Sequence, residues 1–195
     1  TRMAAVAGSV ADTILKAITD AADLRRAYVN NGGDIALHLD TGESYSTGMA
    51  SHDGSGLGQI LIHSSDHVGG IATSGRHGRS LSRGIADSVT VLSSSAANAD
   101  VAATLIANAV DLPNHPAILR RPANEIVDDS DLGARPVVTG CGPLSAYDRN
   151  IALCTGLDYA LTMVNQNRIH AAALFLQGEA LATDTNMISS HTRTK

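Results

Sequence analysis

An aspartate and a threonine stand four residues apart in the segment from Ala99 to Thr104 (Ala-Asp-Val-Ala-Ala-Thr). In a helix this spacing places Asp100 and Thr104 on one face. A carboxylate and a hydroxyl side by side can supply two oxygen ligands to Mg²⁺, which typically keeps several waters and bridges to substrate phosphates. A structural alternative stays open. The helix dipole also favours Asp in a first turn, and Thr can bond back to a backbone carbonyl.

A second candidate is a run that ends a predicted strand in small and hydroxyl residues and then delivers two arginines. It consists of Thr73, Ser74, Gly75, Arg76 and, three residues later, Arg79. Arginine fits phosphate oxygens in a bidentate manner, and both hydroxyls can donate hydrogen bonds. The run therefore predicts a contact with a phosphorylated ligand, although a charge cluster is also typical of a solvated loop.

The third candidate is the turn Asn30-Asn31-Gly32-Gly33-Asp34. Asn-Gly and Gly-Gly supply the positive φ angles that a tight hairpin turn needs. The N–H groups of Gly32 and Gly33 are unshielded by side chains, so a phosphate or a ring edge can approach them. A hairpin turn and a ligand contact are compatible here.

Composition excludes several classes of function. The 195 residues carry a formal net charge of −5, with four Tyr, one Phe and no Trp. Nucleic-acid binding normally needs a positive surface and stacking platforms, so we expect no nucleic-acid partner. Cys141 and Cys154 are too few for a disulfide framework or a zinc site, which favours free thiols and a cytoplasmic location. The longest apolar stretches contain charged or polar residues, so we expect no membrane span.

The elements that position these candidates are predicted by periodicity. Val6, Val10, Ile14 and Leu15 stand at helical spacing and give the first helix one apolar face. Low charge with high alanine content indicates extensive burial, including a possible homo-oligomer interface. We predict one α+β domain over residues 1–182, with a mostly antiparallel sheet and helices packed on it. The polar residues 183–195 are expected to form a disordered tail. The predicted helices cover residues 3–22, 96–110 and 145–164; the predicted strands cover 27–29, 34–39, 45–49, 59–63, 71–74, 88–92, 137–141 and 171–177; and residues 111–136 are predicted to be irregular.

Several motifs occur in an order that resembles the ApbE-like superfamily, whose best-known members are FAD:protein FMN transferases. They are the Gly8 helix with Asp12, Asn31-Gly32-Gly33-Asp34-Ile35, Ala72-Thr73-Ser74-Gly75, Ser88-Val89-Thr90-Val91, and the Asp100 and Thr104 motif. The resemblance is closest to an uncharacterised cytoplasmic branch. It implies an ApbE-like fold without part of its N-terminal region, a Mg²⁺ site at Asp100 and Thr104, and FAD against Gly32, Gly33 and Asp34.

The chain departs from the transferase pattern in two places. Ala7 stands where the transferases have Lys, and their His-x-x-Asp-Pro-x-Thr-Gly segment has no counterpart before Ser88. In that interval Asp87 is the nearest spare carboxylate, and we assign it as the candidate general base. Three functions therefore stay open: a Mg²⁺-dependent flavin transferase or FAD-cleaving enzyme, an enzyme acting on another phosphorylated molecule, and a non-catalytic scaffold or oligomeric module.

Overall fold

A computed structural model of the chain describes residues 3–50 and 54–184. Three α-helices lie within these residues: α1 (Val6–Ala21), α2 (Ala96–Ala109) and α3 (Ala146–Asn165). The strands are β1 (Arg26–Asn31), β2 (Asp34–Leu39), β3 (Ser44–Ala50), β4 (Gly56–His63), β5 (Gly70–Ser74), β6 (Ser88–Ser93), β7 (Ile118–Pro122), β8 (Pro136–Cys141), β9 (Ala171–Leu176) and β10 (Glu179–Ala182). Short 3₁₀ turns occupy Ser64–Asp66 and Ala123–Glu125.

The central sheet has six strands in the order β1-β2-β5-β6-β9-β10, and each neighbouring pair is antiparallel. Every residue of β6 and β9 is buried, because both faces of the sheet are covered. Val89, Val91 and Leu174 pack in one core with residues of α2 and α3. The predicted α+β class with a mostly antiparallel sheet is therefore confirmed.

The hairpin of β3 and β4 forms a separate two-stranded sheet. Its side chains Met49, Ile60 and Ile62 join a second core with Ala173 and Phe175 of β9. This hairpin therefore covers the sheet face opposite α2 and α3. Its departure from the central sheet lets β2 pair with β5, which brings the Gly32-Gly33 turn and the strand leading to Arg79 to neighbouring positions.

Helix α1 forms as predicted, but three of the four residues on its apolar face are exposed. Val10 is 43% exposed, Ile14 is 44% exposed, and Val6 is exposed to a similar degree. By contrast, Ala11 is fully buried, and Gly8 and Leu15 are buried as well. The cause is steric. A Cβ at Gly8 would lie 2.7 Å from the Cα of Ala97, so only the face with small residues can approach the start of α2 this closely.

The predicted irregular segment 111–136 is wrong in part, since it contains β7, which pairs with β8 in a third antiparallel sheet. Pro122 and Pro136 stand opposite each other where this hairpin ends. Prolines are tolerated at the ends of strands and at sheet edges, so the proline content did not exclude a strand. Residues 123–135, which connect the two strands, are called the β7–β8 tip below.

Of the predicted tail, Thr183 is hydrogen-bonded to β9. Its N–H donates to the carbonyl of Ala172 at 2.9 Å, and its Oγ1 accepts from the N–H of Ala172 at 2.9 Å. Residues 185–195 of the predicted tail lie outside the described residues.

Candidate functional site

A cavity of about 380 Å³ opens where the start of α1, the start of β2, a half-buried face of α2 and the β7–β8 tip meet. Four of the residues singled out in the sequence line it: Asp34, Arg79, Asp100 and Thr104. They come from three segments that are far apart in the chain. The fold thus brings the predicted metal ligands, the glycine-turn aspartate and one of the two predicted arginines to a single place.

The start of α2 is held by side chains from two directions. Ser95 caps the helix by accepting a hydrogen bond from the N–H of Asn98. Asp12 of α1 accepts from the N–H groups of Ala96 and Ala97 at 3.0 and 2.9 Å. These bonds satisfy donors that a helix start leaves without partners. They fix α1 against the start of α2 and so set the position of the following turn, which carries Asp100.

Asp100 points towards α1, where the N–H of Gly8 donates to its Oδ2 at 3.0 Å. Burial raises the pKa of Asp100 above its ordinary value of 3.8, and the Gly8 N–H works in the opposite direction by stabilising the ionised form. Because Gly8 has no side chain, α1 can approach α2 closely, and the N–H of Gly8 can reach the carboxylate of Asp100.

Asp34 begins β2 directly after the turn, in which Gly32 has φ +71° and Gly33 has φ +113°. These left-handed angles suit glycine, so the predicted hairpin turn is confirmed. Burial first, and then the neighbouring charge of Asp100, raise the pKa of Asp34 from 3.8 to about 7. Among residues 3–50 and 54–184, no Lys, Arg or His forms an ion pair with Asp34 or Asp100. The two carboxylates therefore lie in a partly buried, acidic site that a cation would stabilise.

Arg79 lines the cavity and also lies against the glycine turn. A Cβ at Gly32 would lie 2.9 Å from Nη1 of Arg79, so the absence of a side chain at position 32 makes room for the guanidinium. Arg79 is exposed, and no carboxylate of the described residues forms an ion pair with it. Its donors are accordingly available to an anion in the cavity.

Arg76 has a different environment. Its Nε donates to Oδ1 of Asp87 at 2.8 Å, and its Nη2 lies 2.6 Å from the same oxygen. His77 Nε2 lies 3.3 Å from that oxygen, while the backbone N–H of Gln177 donates to Oδ2. Arg76 and Asp87 thus belong to a network that ties the loop after β5 to the turn between β9 and β10. Neither residue is among those that line the cavity.

The remaining predicted ligand contacts lie near that network. Thr73 Oγ1 is hydrogen-bonded to Thr90 Oγ1 at 3.0 Å across β5 and β6, and Ser74 is half-buried at the end of β5. Gly75 is buried, and a Cβ there would lie 2.9 Å from the carbonyl carbon of Asp87. The cavity lining does not include Thr73, Ser74 or Gly75.

Sequence reasoning missed the contribution of the β7–β8 tip. Val127, Ser130, Asp131 and Leu132 line the cavity, as do Ser80 and Leu81. The acidic run Asp128-Asp129-Ser130-Asp131 was visible in the sequence. Nothing in its local pattern indicated which helix it would face, because that depends on the pairing of β7 with β8.

One feature limits the kind of metal site that the described residues form. No cluster of three or more His, Cys, Asp or Glu side chains within them is arranged to hold a metal ion. Any ion in the cavity would therefore need ligands from a hydroxyl, water or a bound molecule in addition to the two carboxylates.

In the part of the chain that the structure describes, no helix has the length and apolar character required to cross a membrane.

Comparison with known proteins gives relatives among the archaea. The chain is 46% identical over 110 residues to a UPF0280 protein of Methanococcus maripaludis strain C7, which covers 54% of this chain and 44% of the relative. It is 37% identical over 112 residues to a UPF0280 protein of Methanothermobacter thermautotrophicus, covering 57% of this chain and 43% of the relative. A UPF0280 protein of Methanopyrus kandleri is 35% identical over 128 residues, covering 65% and 50%.

The chain spans about half the length of the curated relatives that it matches. A family model described as AbpE bacteria matches residues 1–182, a range that includes each residue lining the cavity. Because this match extends over most of the 195 residues, the chain belongs to the AbpE bacteria family.

Proposed function

We propose that the cavity binds a phosphorylated small molecule together with Mg²⁺, and that the ligand is a flavin nucleotide such as FAD or FMN. The observation that carries this proposal is the convergence of Asp34, Asp100, Thr104 and Arg79 on one cavity. Two carboxylates, a hydroxyl and an available guanidinium form a set in which a cation and an anion can be bound side by side.

The chemistry of the donors fits Mg²⁺. This ion prefers oxygen ligands, takes one or two carboxylates from the protein and completes its shell with waters and substrate phosphates. Asp100 and Thr104 would hold it, with Asp34 beside them. The raised pKa values of both aspartates reflect burial, and that of Asp34 also reflects repulsion by Asp100. A divalent cation would offset both costs.

The phosphate contact is assigned to Arg79 and to the turn beneath it. Arg79 lies against Gly32, and the neighbouring Gly33 has no atom within 4 Å of the place where a Cβ would stand. The two glycines are not among the residues that line the cavity, and the N–H of Gly33 donates to Oδ1 of Asn30 at 2.9 Å, so Arg79 carries the main part of this assignment. A guanidinium beside exposed glycine backbone is a suitable environment for phosphate oxygens. The cavity volume of about 380 Å³ is near the lower end of the range for ligand pockets. It would accordingly hold the phosphate-bearing part of a dinucleotide, with the rest outside.

The choice of a flavin nucleotide rests on the resemblance of the motifs to the ApbE-like superfamily, which also motivates the possible FMN-transferase or FAD-cleaving activity. When bound, Mg²⁺ would polarise a pyrophosphate and stabilise charge on the leaving phosphate. In such a reaction Arg79 would orient the phosphate. Asp100 would hold the metal ion at its face of α2. We place the protein in the cytoplasm, since Cys141 and Cys154 are both free thiols.

Two observations favour the alternative of a non-catalytic scaffold or oligomeric module. Asp87, the candidate general base, is engaged by Arg76 and the N–H of Gln177, and it does not line the cavity. In addition, Val10 and Ile14 expose an apolar face of α1 of the kind that a second copy could cover. This alternative predicts ligand binding without turnover, or an oligomer that binds no ligand.

The test is binding of FAD, followed by flavin fluorescence, with and without Mg²⁺. We expect Mg²⁺-dependent binding by the parent protein and loss of the Mg²⁺ dependence in Asp100→Asn. Asp158→Asn is the matched control, because Asp158 is an exposed aspartate on α3, away from the cavity. AMP release from FAD then distinguishes an enzyme from a binding module. Equal Mg²⁺ dependence in Asp100→Asn and in the parent protein would reject the metal assignment. Absence of FAD binding in both conditions would reject the flavin.

A further inference from the structure

The β7–β8 tip contributes a charged residue to the cavity that none of the sequence motifs included. We propose that Asp131 on this tip determines specificity, by making the binding of a phosphorylated ligand depend on a divalent cation. The inference rests on the function proposed above and concerns the charge state in which the ligand is accepted.

The tip has an ordered structure that places Asp131 at the cavity. The N–H of Ala123 donates to the carbonyl of Arg135 at 3.0 Å, and the N–H of Asn124 donates to the carbonyl of Gly133 at 2.9 Å. Leu132 is buried in a small core with Ala123, Val137 and Leu81. Because Leu132 is anchored in this way, the preceding Asp131 is held among the residues that line the cavity while its side chain stays exposed.

The charges in the cavity lining give the electrostatic consequence. Its ionisable side chains are Asp34, Asp100, Asp131 and Arg79. Above the pKa of Asp34, which lies at about 7, three negative charges against one positive leave a formal charge of −2. Within the described part of the chain, none of these carboxylates is in an ion pair. A phosphate without metal therefore meets net repulsion, whereas one divalent cation neutralises the formal charge. Removing the charge of Asp131 should weaken the attraction for the cation and relieve the repulsion of the bare phosphate.

The same tip supplies matched controls. Asp128 and Asp129 belong to the same acidic run and are exposed, but they are not part of the cavity lining. Changing any of the three to Asn removes one negative charge at nearly constant volume. Differences between Asp131→Asn and Asp129→Asn therefore report the position of the charge and not the net charge of the protein.

The experiment uses two probes on the full chain at low ionic strength and at about pH 8, so that Asp34, whose pKa is raised to about 7, is mostly ionised. Mn²⁺ binding alone is measured by electron paramagnetic resonance, and binding of inorganic pyrophosphate by calorimetry with and without Mg²⁺. For Asp131→Asn we expect Mn²⁺ affinity to fall about two- to fivefold, and metal-free pyrophosphate affinity to rise about three- to tenfold. Both changes should shrink at about 1 M salt, where the screening length is about 3 Å. At about 0.01 M salt the screening length is about 30 Å, so Asp129→Asn should change both affinities in the same directions as Asp131→Asn. Its changes should be clearly smaller, because Asp129 does not line the cavity.

The outcomes separate this inference from the proposed function. Opposite changes on the two probes support the inference, since a merely structural role of the tip would weaken both. A fall in both affinities, or equal behaviour of Asp131→Asn and Asp129→Asn, overturns the inference. If the parent protein still binds pyrophosphate in a Mg²⁺-dependent manner, the proposed function stands. If the parent protein binds no pyrophosphate even with Mg²⁺, the phosphate site itself is rejected, and the inference with it.

Discussion

Substitution of Gly8 by alanine tests the contact on which the geometry of the cavity depends. A Cβ at position 8 would lie 2.6 Å from the carbonyl carbon of Ala96 and 2.7 Å from the Cα of Ala97. Both are backbone atoms of the α2 start, which cannot rotate away as a side chain can. Helix α1 would have to shift, and the hydrogen bond from the Gly8 N–H to Asp100 would lengthen or break.

The expected magnitude combines three contributions. Overpacking of this kind costs about 1–3 kcal/mol. A hydrogen bond to a charged group contributes about 1.5–3 kcal/mol, and less here because Asp100 is only partly buried and water can replace the donor. Alanine improves helix propensity by about 1 kcal/mol relative to glycine. We therefore expect a net loss of about 2–3 kcal/mol, which for a chain of this size lowers the melting temperature by about 5–10 °C.

The assay is thermal and urea denaturation followed by circular dichroism. Ser9→Ala is the control, since Ser9 is the exposed neighbour of Gly8 on the same helix. Its change should stay within about 0.5 kcal/mol and be slightly stabilising. If Gly8→Ala were as stable as Ser9→Ala, the close approach of α1 to α2 would be refuted, together with our explanation of why α1 buries its small residues.

Two further predictions concern the aspartates. Asp34→Asn should raise the melting temperature more at pH 8 than at pH 4.5. Since the folded state raises the pKa of Asp34 to about 7, it binds more protons than the unfolded state between about pH 4 and pH 7, so stability falls as the pH rises through that window. Thermal melts across this range measure the effect, with the exposed Asp129→Asn as control; parallel profiles for Asp34→Asn and the parent protein would contradict it. Asp87→Ala should lower the free energy of unfolding by about 1–3 kcal/mol, because Arg76 loses its partner and the N–H of Gln177 loses its acceptor. A double-mutant cycle with Arg76→Ala, followed by urea denaturation, should give non-additive losses, and strict additivity would argue against the ion pair.

Features with a local physical cause were predictable from the sequence. The turn at Gly32 and Gly33 needs positive φ angles, and a pair of adjacent glycines indicates that requirement directly in the sequence. The strand β6 (Ser-Val-Thr-Val-Leu-Ser) is short and rich in β-branched residues, which is typical of a strand. Asp100 and Thr104 were predicted to share a helix face, and both line the cavity. Each of these predictions depended on residues within one element.

The errors have a common origin in contacts between elements. Periodicity identified the apolar row of α1, but it could not show that the small residues Gly8 and Ala11 face α2 while Val10 faces outward. Arg76 and Arg79 were indistinguishable in the sequence. They separate in the fold because Asp87 pairs with Arg76 and Gly32 makes room for Arg79. The role of Asp131 depends on a strand pairing that the proline-rich segment did not predict.

Four half-buried aspartates differ in how their charge is compensated, and the contrast between them is the strongest physical argument for a site. Asp87 and Asp12 are half-buried, and each is compensated: Asp87 by Arg76 and a backbone N–H, Asp12 by two N–H groups of the α2 start. Asp34 and Asp100 lie close enough for the charge of Asp100 to raise the pKa of Asp34, and between them they receive the single N–H of Gly8 within the described residues. Uncompensated carboxylates in a cleft reduce the stability of the fold, and such arrangements occur preferentially where a ligand completes them. A divalent cation shared with a phosphate on Arg79 would complete this one.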